Sequence, residues 1–154
     1  MRSVRLPAAL LTEMRAHGRA TYPEECCGFL IGPAEEGATA DERNIVALEP
    51  ADNRFSGERV RRFLIPPEQV RTLERRLEST EQAVVGFYHS HPDHPARPSQ
   101  FDQQHAWPWY TYLVVSVTAS ATPAVGAFEL DPDSETFCEV RLSITGAEPT
   151  VAPR

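Results

Sequence analysis

Apolar residues recur at helical spacing in two segments of the chain, and a third, shorter segment is also predicted to be a helix. Residues 7–19 place four side chains near one helical face: Leu10, Leu11, Met14 and His17. Residues 66–80 begin with two prolines and carry Val70, Leu73 and Leu77 at helical spacing. A shorter helix is predicted for residues 99–107, with Ser99 in the N-cap position.

Short apolar runs rich in β-branched and aromatic residues lie between and after these segments. They predict strands at residues 26–32, 43–50, 59–65, 83–90, 111–118, 124–130 and 136–144. The first run is apolar throughout and bounded by glycine, which is typical of a strand buried on both faces. Helices early and midway, with a run of strands at the end, predict an α/β domain in which a mixed sheet is flanked by helices.

The length of 154 residues is enough for one domain with its own core. We assign residues 1–145 to that domain and residues 146–154 to a flexible C-terminal tail. Three cysteines, an odd number, argue against a disulfide scaffold and for a reducing, cytoplasmic location. The apolar run near the N-terminus is interrupted by Glu13 and Arg15 before it reaches the length of a signal peptide or membrane helix.

The charged residues exclude several functions. The net charge is −7 without a basic stripe, which argues against a nucleic-acid partner. All fifteen basic residues are arginine, so Schiff-base chemistry, a P-loop and a lysine general base are excluded.

The stretch "GFYHSHPDHPARPSQFD", residues 86–102, contains three of the five histidines. On a strand, His89 and His91 project from one face while Ser90 points away. A loop with three prolines leads to Ser99, and Asp102 falls in the first turn of the following helix, from which it can reach back toward the histidines. Two histidines, one carboxylate and a water in the fourth position are a common catalytic zinc arrangement.

Other interpretations of the same residues stay open. The two histidines would also fit a polar surface, and Asp102 would also complete a capping box with Ser99. The same ligand set would suit a non-haem Fe(II) enzyme. A serine hydrolase is disfavoured because Ser90 lacks the glycines of a nucleophile elbow. Spacing assigns no role to four further residues: Cys26, Cys27, His94 and His105.

The order H-S-H, seven residues, serine, two residues, aspartate resembles the signature of the JAMM (MPN+) metallopeptidases. This family also carries a glutamate shortly before a glycine on an early strand, and "PEECCGFLIG" supplies Glu25. The likeness extends over roughly residues 6–142, including an "NRF…FLIPPEQ" segment. It implies an MPN-type, cytidine-deaminase-like fold.

The resemblance implies a role for each matched residue. His89, His91 and Asp102 would bind one Zn²⁺ ion per chain, Glu25 would be the general base, and Ser99 would hydrogen-bond the oxyanion. Without the resemblance, nothing separates Glu25 from the other acidic residues near it. A glutamate that enters a buried strand is expected to have a raised pKa, which makes it a better base.

By the same resemblance, the substrate would be a ubiquitin-like protein of the sulfur-carrier type. The enzyme would hydrolyse the amide bond after its C-terminal Gly-Gly and release cysteine or another small adduct. We expect the loops at residues 50–60 and 92–98 to form the walls of the substrate groove, and we expect no membrane partner. The alternative is a non-catalytic MPN-type scaffold, although such scaffolds usually lack the residues matched here.

Overall fold

The computed structural model describes residues 2–36, 41–59, 62–118 and 124–146. Within these ranges the three predicted helices are confirmed as α1 (Ala8–Thr21), α2 (Pro67–Leu77) and α3 (Gln100–Gln104). The strands are β1 (Ser3–Pro7), β2 (Cys27–Pro33), β3 (Glu42–Asn44), β4 (Ala47–Ala51), β5 (Gln82–Pro92), β6 (Thr111–Val117), β7 (Val125–Leu130) and β8 (Phe137–Thr145). No helix in this part of the chain is long and apolar enough to cross a membrane.

The strands form one sheet in the order β3-β1-β8-β7-β6-β5-β2-β4. β1 is parallel to both β3 and β8, and β5 is parallel to β6. The remaining neighbours, β2 with β4 and β5, and β7 with β6 and β8, are antiparallel. The predicted mixed sheet flanked by helices is therefore confirmed.

The two longer helices cover opposite faces of this sheet. Leu11 and Met14 of α1 belong to an apolar cluster that includes Tyr88. Val70 of α2 belongs to a second cluster that includes Phe87. Because Phe87 and Tyr88 are consecutive residues of β5, the two clusters lie on opposite faces.

Three sequence predictions need correction or fall outside the described residues. Residues 3–7 form β1 rather than only leading into a helix, because Val4 and Leu6 alternate with Arg5 and are fully buried. In the predicted strand at 59–65, residues 62–65 form no strand, since Leu64 bonds to Arg54 and to a side chain instead of to a neighbouring ladder. Residues 147–154 of the predicted tail lie outside the described residues.

Candidate active site and metal centre

The end of β5 carries the two histidines of the H-S-H motif. His89 and His91 project from the face of the sheet that Phe87 also occupies, and both are buried. Their Nε2 atoms are 3.1 Å apart. Ser90 points to the other face, where its Oγ accepts a hydrogen bond from the Cys26 amide at 2.7 Å. Ser90 is therefore directed away from the histidines, as the sequence predicted.

The loop after β5 returns Asp102 to these histidines. Ser99 and Asp102 form a complete capping box at the start of α3. The Ser99 amide donates to Asp102 Oδ2 at 2.8 Å, and the Asp102 amide donates to Ser99 Oγ at 3.0 Å. The same Oδ2 atom lies 3.0 Å from His89 Nε2 and 3.1 Å from His91 Nε2. The capping box and the contact with the histidines thus coexist, because the capping box orients the Asp102 carboxylate toward the histidines.

Glu25 joins this group through strand pairing. It lies two residues before β2, and the antiparallel pairing of β2 with β5 sets Cys27 opposite His89. Glu25 is 3 % exposed. Its carboxylate and the imidazoles of His89 and His91 offer ligand atoms that all lie within 4.8 Å of one another. The structure therefore brings together the acidic residue and the two histidines that the sequence placed far apart.

The surroundings of each imidazole fix its orientation. His91 Nδ1 lies 3.1 Å from the carbonyl oxygen of Pro95. A carbonyl only accepts, so Nδ1 carries the proton and the Nε2 lone pair faces the site. The ring of Phe63 stacks on His89 with a centroid distance of 4.5 Å. Phe63 was not anticipated from the sequence, because it lies in the irregular segment that the pattern predicted to be a strand.

The surroundings of the two carboxyl groups shift their pKa values in opposite directions. For Glu25, burial and the nearby charge of Asp102 raise the pKa to about 9, which confirms the predicted direction. For Asp102, burial also favours the neutral form, but the charge of His89 and the hydrogen bonds from His89 and the Ser99 amide outweigh it and hold the pKa well below its usual range. Asp102 is therefore the permanent anion of the group.

The donor atoms fit a divalent metal ion. Among the described residues, three buried atoms of the site lack a hydrogen-bond partner: Glu25 Oε1, His89 Nδ1 and Asp102 Oδ1. Two imidazole nitrogens and one carboxylate oxygen lie 3.0–3.1 Å apart. Ligands of a tetrahedral zinc ion with bonds of ~2.0–2.1 Å are separated by about 3.3 Å. The group can hold a metal ion with little rearrangement.

A cavity of about 580 Å³ opens beside His89 and Asp102. Its lining is mostly apolar and comes from the segment before α2, from α2 itself and from the segment after α3, including Phe63, Ile65, Val70, Ala106 and Trp107. Of the described residues in the expected wall at 50–60, Phe55 lines the cavity. The expected wall at residues 92–98 is not among the lining residues; residues 101–107 form that side instead, because the proline-rich loop bends back onto β6 through His94 and Ser116.

The remaining polar candidates lie around the site. Cys26 and Cys27 are buried, and burial raises the pKa of Cys26 to about 11 and that of Cys27 further. Both thiols are thus mainly protonated at neutral pH and poor metal ligands. His94 is exposed, and His105 lines the cavity with its Nδ1 2.8 Å from the Phe101 carbonyl oxygen.

Known proteins resemble this chain over most of its length. A desampylase from Haloferax volcanii is 38% identical over 109 residues, which cover 70% of this chain and 73% of the relative. A CysO-cysteine peptidase from Mycobacterium tuberculosis is 38% identical over 112 residues, which cover 71% of this chain and 70% of the relative.

Solved structures show the same fold. The solution structure of a protein from Desulfitobacterium hafniense superposes with a TM-score of 0.76 at 28% identity and covers 92% of both chains. A protein from Salinibacter ruber gives a TM-score of 0.66 at 36% identity, covering 96% of this chain and 94% of the other. Residues 7–130 match the family described as prokaryotic homologs of the JAB domain. This chain therefore belongs to the prokaryotic JAB-domain family, and the predicted membership in the JAB/MPN group is confirmed.

Proposed function

We propose that this chain is a zinc-dependent peptidase that hydrolyses the amide bond after the C-terminal Gly-Gly of a ubiquitin-like protein of the sulfur-carrier type. The observation that carries the proposal is the convergence of Glu25, His89, His91 and Asp102 at one buried point. The names of the relatives, a desampylase and a CysO-cysteine peptidase, support hydrolysis of a bond to a small protein. Release of cysteine from the carrier is the form of the reaction that the second name favours.

His89, His91 and Asp102 would hold the zinc ion, one per chain, through Nε2, Nε2 and a carboxylate oxygen. Zinc at this place supplies a Lewis acid that polarises the scissile carbonyl and lowers the pKa of water to about 7. The Pro95 carbonyl keeps His91 in the tautomer that binds a metal. The His89 ring is held flat against Phe63.

Glu25 would move the proton. Its carboxylate accepts a proton from the attacking water and delivers it to the nitrogen of the leaving amine. Burial raises its pKa to about 9, and a nearby cation favours the ionised form that a base needs. The raised proton affinity of this buried carboxylate suits Glu25 both to accept the proton from water and to deliver it to the amine.

Ser99 would donate a hydrogen bond to the carbonyl oxygen of the scissile bond as negative charge develops there. Its Oγ already accepts from the Asp102 amide, but a hydroxyl also has one hydrogen to donate. A single donor of this kind contributes roughly tenfold or more to turnover. The cap at α3 fixes the position of that donor.

The cavity beside His89 would receive the extended tail of the carrier. A Gly-Gly terminus has no side chains to obstruct its approach, and residues before it would contact the apolar lining. Exposed Arg54, Arg59 and Arg62 lie in the segment that forms one wall, where an acidic carrier would find complementary charge.

The test is a cleavage assay with a carrier–cysteine conjugate and a carrier–lysine isopeptide, with added zinc. Wild-type protein should cleave at least one, and Glu25→Gln should keep zinc but lose turnover by at least about a hundredfold. Glu24→Gln is the matched control, because Glu24 is the exposed neighbour of Glu25 and should behave as wild type. Zinc-loaded wild type that cleaves neither conjugate would favour the non-catalytic scaffold.

Metal identity needs its own measurement, since two histidines and a carboxylate also suit Fe(II). Anaerobic purification followed by elemental analysis should give about one zinc per chain. Iron in that position, with activity lost on exchange for zinc, would replace the peptidase proposal with an iron enzyme.

A further inference from the structure

Glu25 is held at its position by a segment that the roles above do not explain. Glu25 lies two positions before Cys27, and Cys27 pairs with Ala51 at the end of the β2–β4 ladder. Two positions beyond Ala51 is Asn53, in the place that would face Glu25 if the ladder continued. The strand β4 ends at Ala51, so the side chain of Asn53, not a further ladder, makes the connection.

The Asn53 amide uses its full hydrogen-bonding capacity on four backbone groups. Its Nδ2 donates to the carbonyl oxygens of Glu25 at 3.2 Å and of Arg62 at 2.8 Å. Its Oδ1 accepts from the amides of Phe55 at 3.0 Å and of Leu64 at 3.1 Å. An amide has two N–H donors and two acceptor lone pairs, so only this orientation of Asn53 satisfies all four partners.

These four bonds connect two parts of the site. Arg62 and Leu64 flank Phe63, whose ring stacks on His89, so Asn53 fixes the backbone on both sides of that ring. Asn53 also donates a hydrogen bond to the Glu25 carbonyl. The Glu25 amide in turn donates to the carbonyl of Arg59 at 2.7 Å. The backbone of Glu25 is therefore held at its carbonyl by Asn53 and at its amide by Arg59.

We infer that Asn53 is a positioning residue that sets Glu25 and, through Phe63, the His89 ring relative to each other. Catalysis by a general base depends on its distance from the proton, and displacements of about 1 Å can reduce turnover roughly a hundredfold. Asn53 itself touches no reacting atom. Its loss should therefore lower kcat and leave metal and substrate binding almost intact.

The kinetic test compares Asn53→Ala with Thr111→Val. Thr111 is fully buried at the start of β6, and its hydroxyl donates to Glu129 at 3.0 Å, away from the site. Valine keeps its shape and removes one buried hydrogen bond, which makes it a matched control for lost stability. We expect N53A to lose at least about tenfold in kcat with KM and zinc content within about twofold, and T111V to keep kcat. A kcat for N53A no lower than that of T111V would overturn the inference.

A second readout needs no turnover. Amide hydrogen exchange of the metal-free protein should show faster exchange at Phe55 and Leu64 in N53A, and at least about tenfold faster exchange at Glu25. The Ser116 amide, which donates to the Ala124 carbonyl at 2.8 Å, reports whether the fold as a whole is intact. Unchanged exchange at Glu25 would contradict the inference.

Asn53→Asp keeps the test decisive if N53A does not fold. Aspartate retains the oxygen that accepts from Phe55 and Leu64 but loses both donated bonds, so kcat should fall and the Glu25 amide should exchange faster while Leu64 stays protected. Wild-type kcat in N53D would refute the inference. The kinetic readout rests on the proposed function, whereas the hydrogen-exchange readout does not. If the wild-type chain has no cleavage activity, the proposed function is contradicted. Hydrogen exchange at the Glu25 amide then decides the role of Asn53.

Discussion

The two faces of β5 are buried to a similar degree but differ in how their polar groups are satisfied. On the α1 face, Ser90 Oγ bonds to the Cys26 amide and Tyr88 Oη lies 2.8 Å from His17 Nδ1. On the other face, His89 and His91 have ligand atoms that converge on Asp102. In the described ranges, the buried atoms without a hydrogen-bond partner include one each from Glu25, His89 and Asp102.

This difference separates a structural polar group from a candidate functional one. Leaving a buried polar atom unpaired costs about 1–3 kcal/mol, so such atoms persist where another partner completes them. On the α1 face each hydroxyl is completed by the protein itself. On the opposite face, completion requires an ion, a water or a substrate. Burial alone would not have distinguished Ser90 from His89.

The largest expected effect is loss of metal when the unsatisfied face is altered. His89→Ala or Asp102→Asn should reduce zinc content after dialysis from about one per chain to less than roughly a tenth, because each removes one of the three proposed protein ligands. His94→Ala and Asp93→Asn are matched controls in the exposed loop and should retain zinc. Full zinc content in D102N would show that Asp102 only completes the capping box.

Replacing Glu25 by Gln should stabilise the metal-free protein, whereas most substitutions of buried residues destabilise. The folded-state pKa of Glu25 is raised to about 9, above the ~4.3 of an unfolded chain. The folded state therefore binds more protons than the unfolded state between these values, and stability falls as pH rises through this window. Glutamine does not titrate, so E25Q should be more stable at pH 8, by on the order of 5 kcal/mol, and the advantage should vanish near pH 4.

Urea unfolding in the presence of a chelator measures this difference. Glu24→Gln, at the exposed neighbouring position, should show no such dependence on pH. If the free energies of unfolding of E25Q and wild type differ by the same amount from pH 4 to pH 8, Glu25 is ionised in the metal-free fold.

Ser99→Ala should have a smaller effect on turnover than Glu25→Gln. Loss of the proposed donor to the developing oxyanion should reduce kcat by at least about tenfold, and loss of the N-cap should cost about 1 kcal/mol of stability. Ser99→Thr keeps a hydroxyl and should restore most of kcat, measured with the same conjugate. Equal kcat in wild type and S99A would leave Ser99 with the capping role alone.

The sequence predicted those parts of the site that local geometry controls. His89 and His91 share a face because side chains on a strand alternate, and Asp102 reaches them because Ser99 caps a helix three residues earlier. Glu25 depends on strand pairing across 64 positions of the chain, which no local period records, and only the family resemblance identified it.

The parts that the sequence did not predict lie in irregular backbone or at the edge of the fold. Phe63 was placed on a strand because residues 59–65 contain β-branched and aromatic residues, but tertiary hydrogen bonds to Asn53 override that propensity. The short β1 was missed because two apolar residues, Val4 and Leu6, are too few for a period to be recognised.

The smallest expected effect comes from the satisfied face. Tyr88→Phe removes the hydroxyl that pairs with His17 and leaves the ring packed over Gly28. The free energy of unfolding should fall by about 1 kcal/mol, and zinc content and turnover should stay at wild-type values, because Tyr88 faces α1. Urea unfolding, elemental analysis and the cleavage assay on the same preparation measure all three. If Y88F lost zinc while remaining folded, the two faces of β5 would be coupled, and the division between a structural face and a functional face would be wrong.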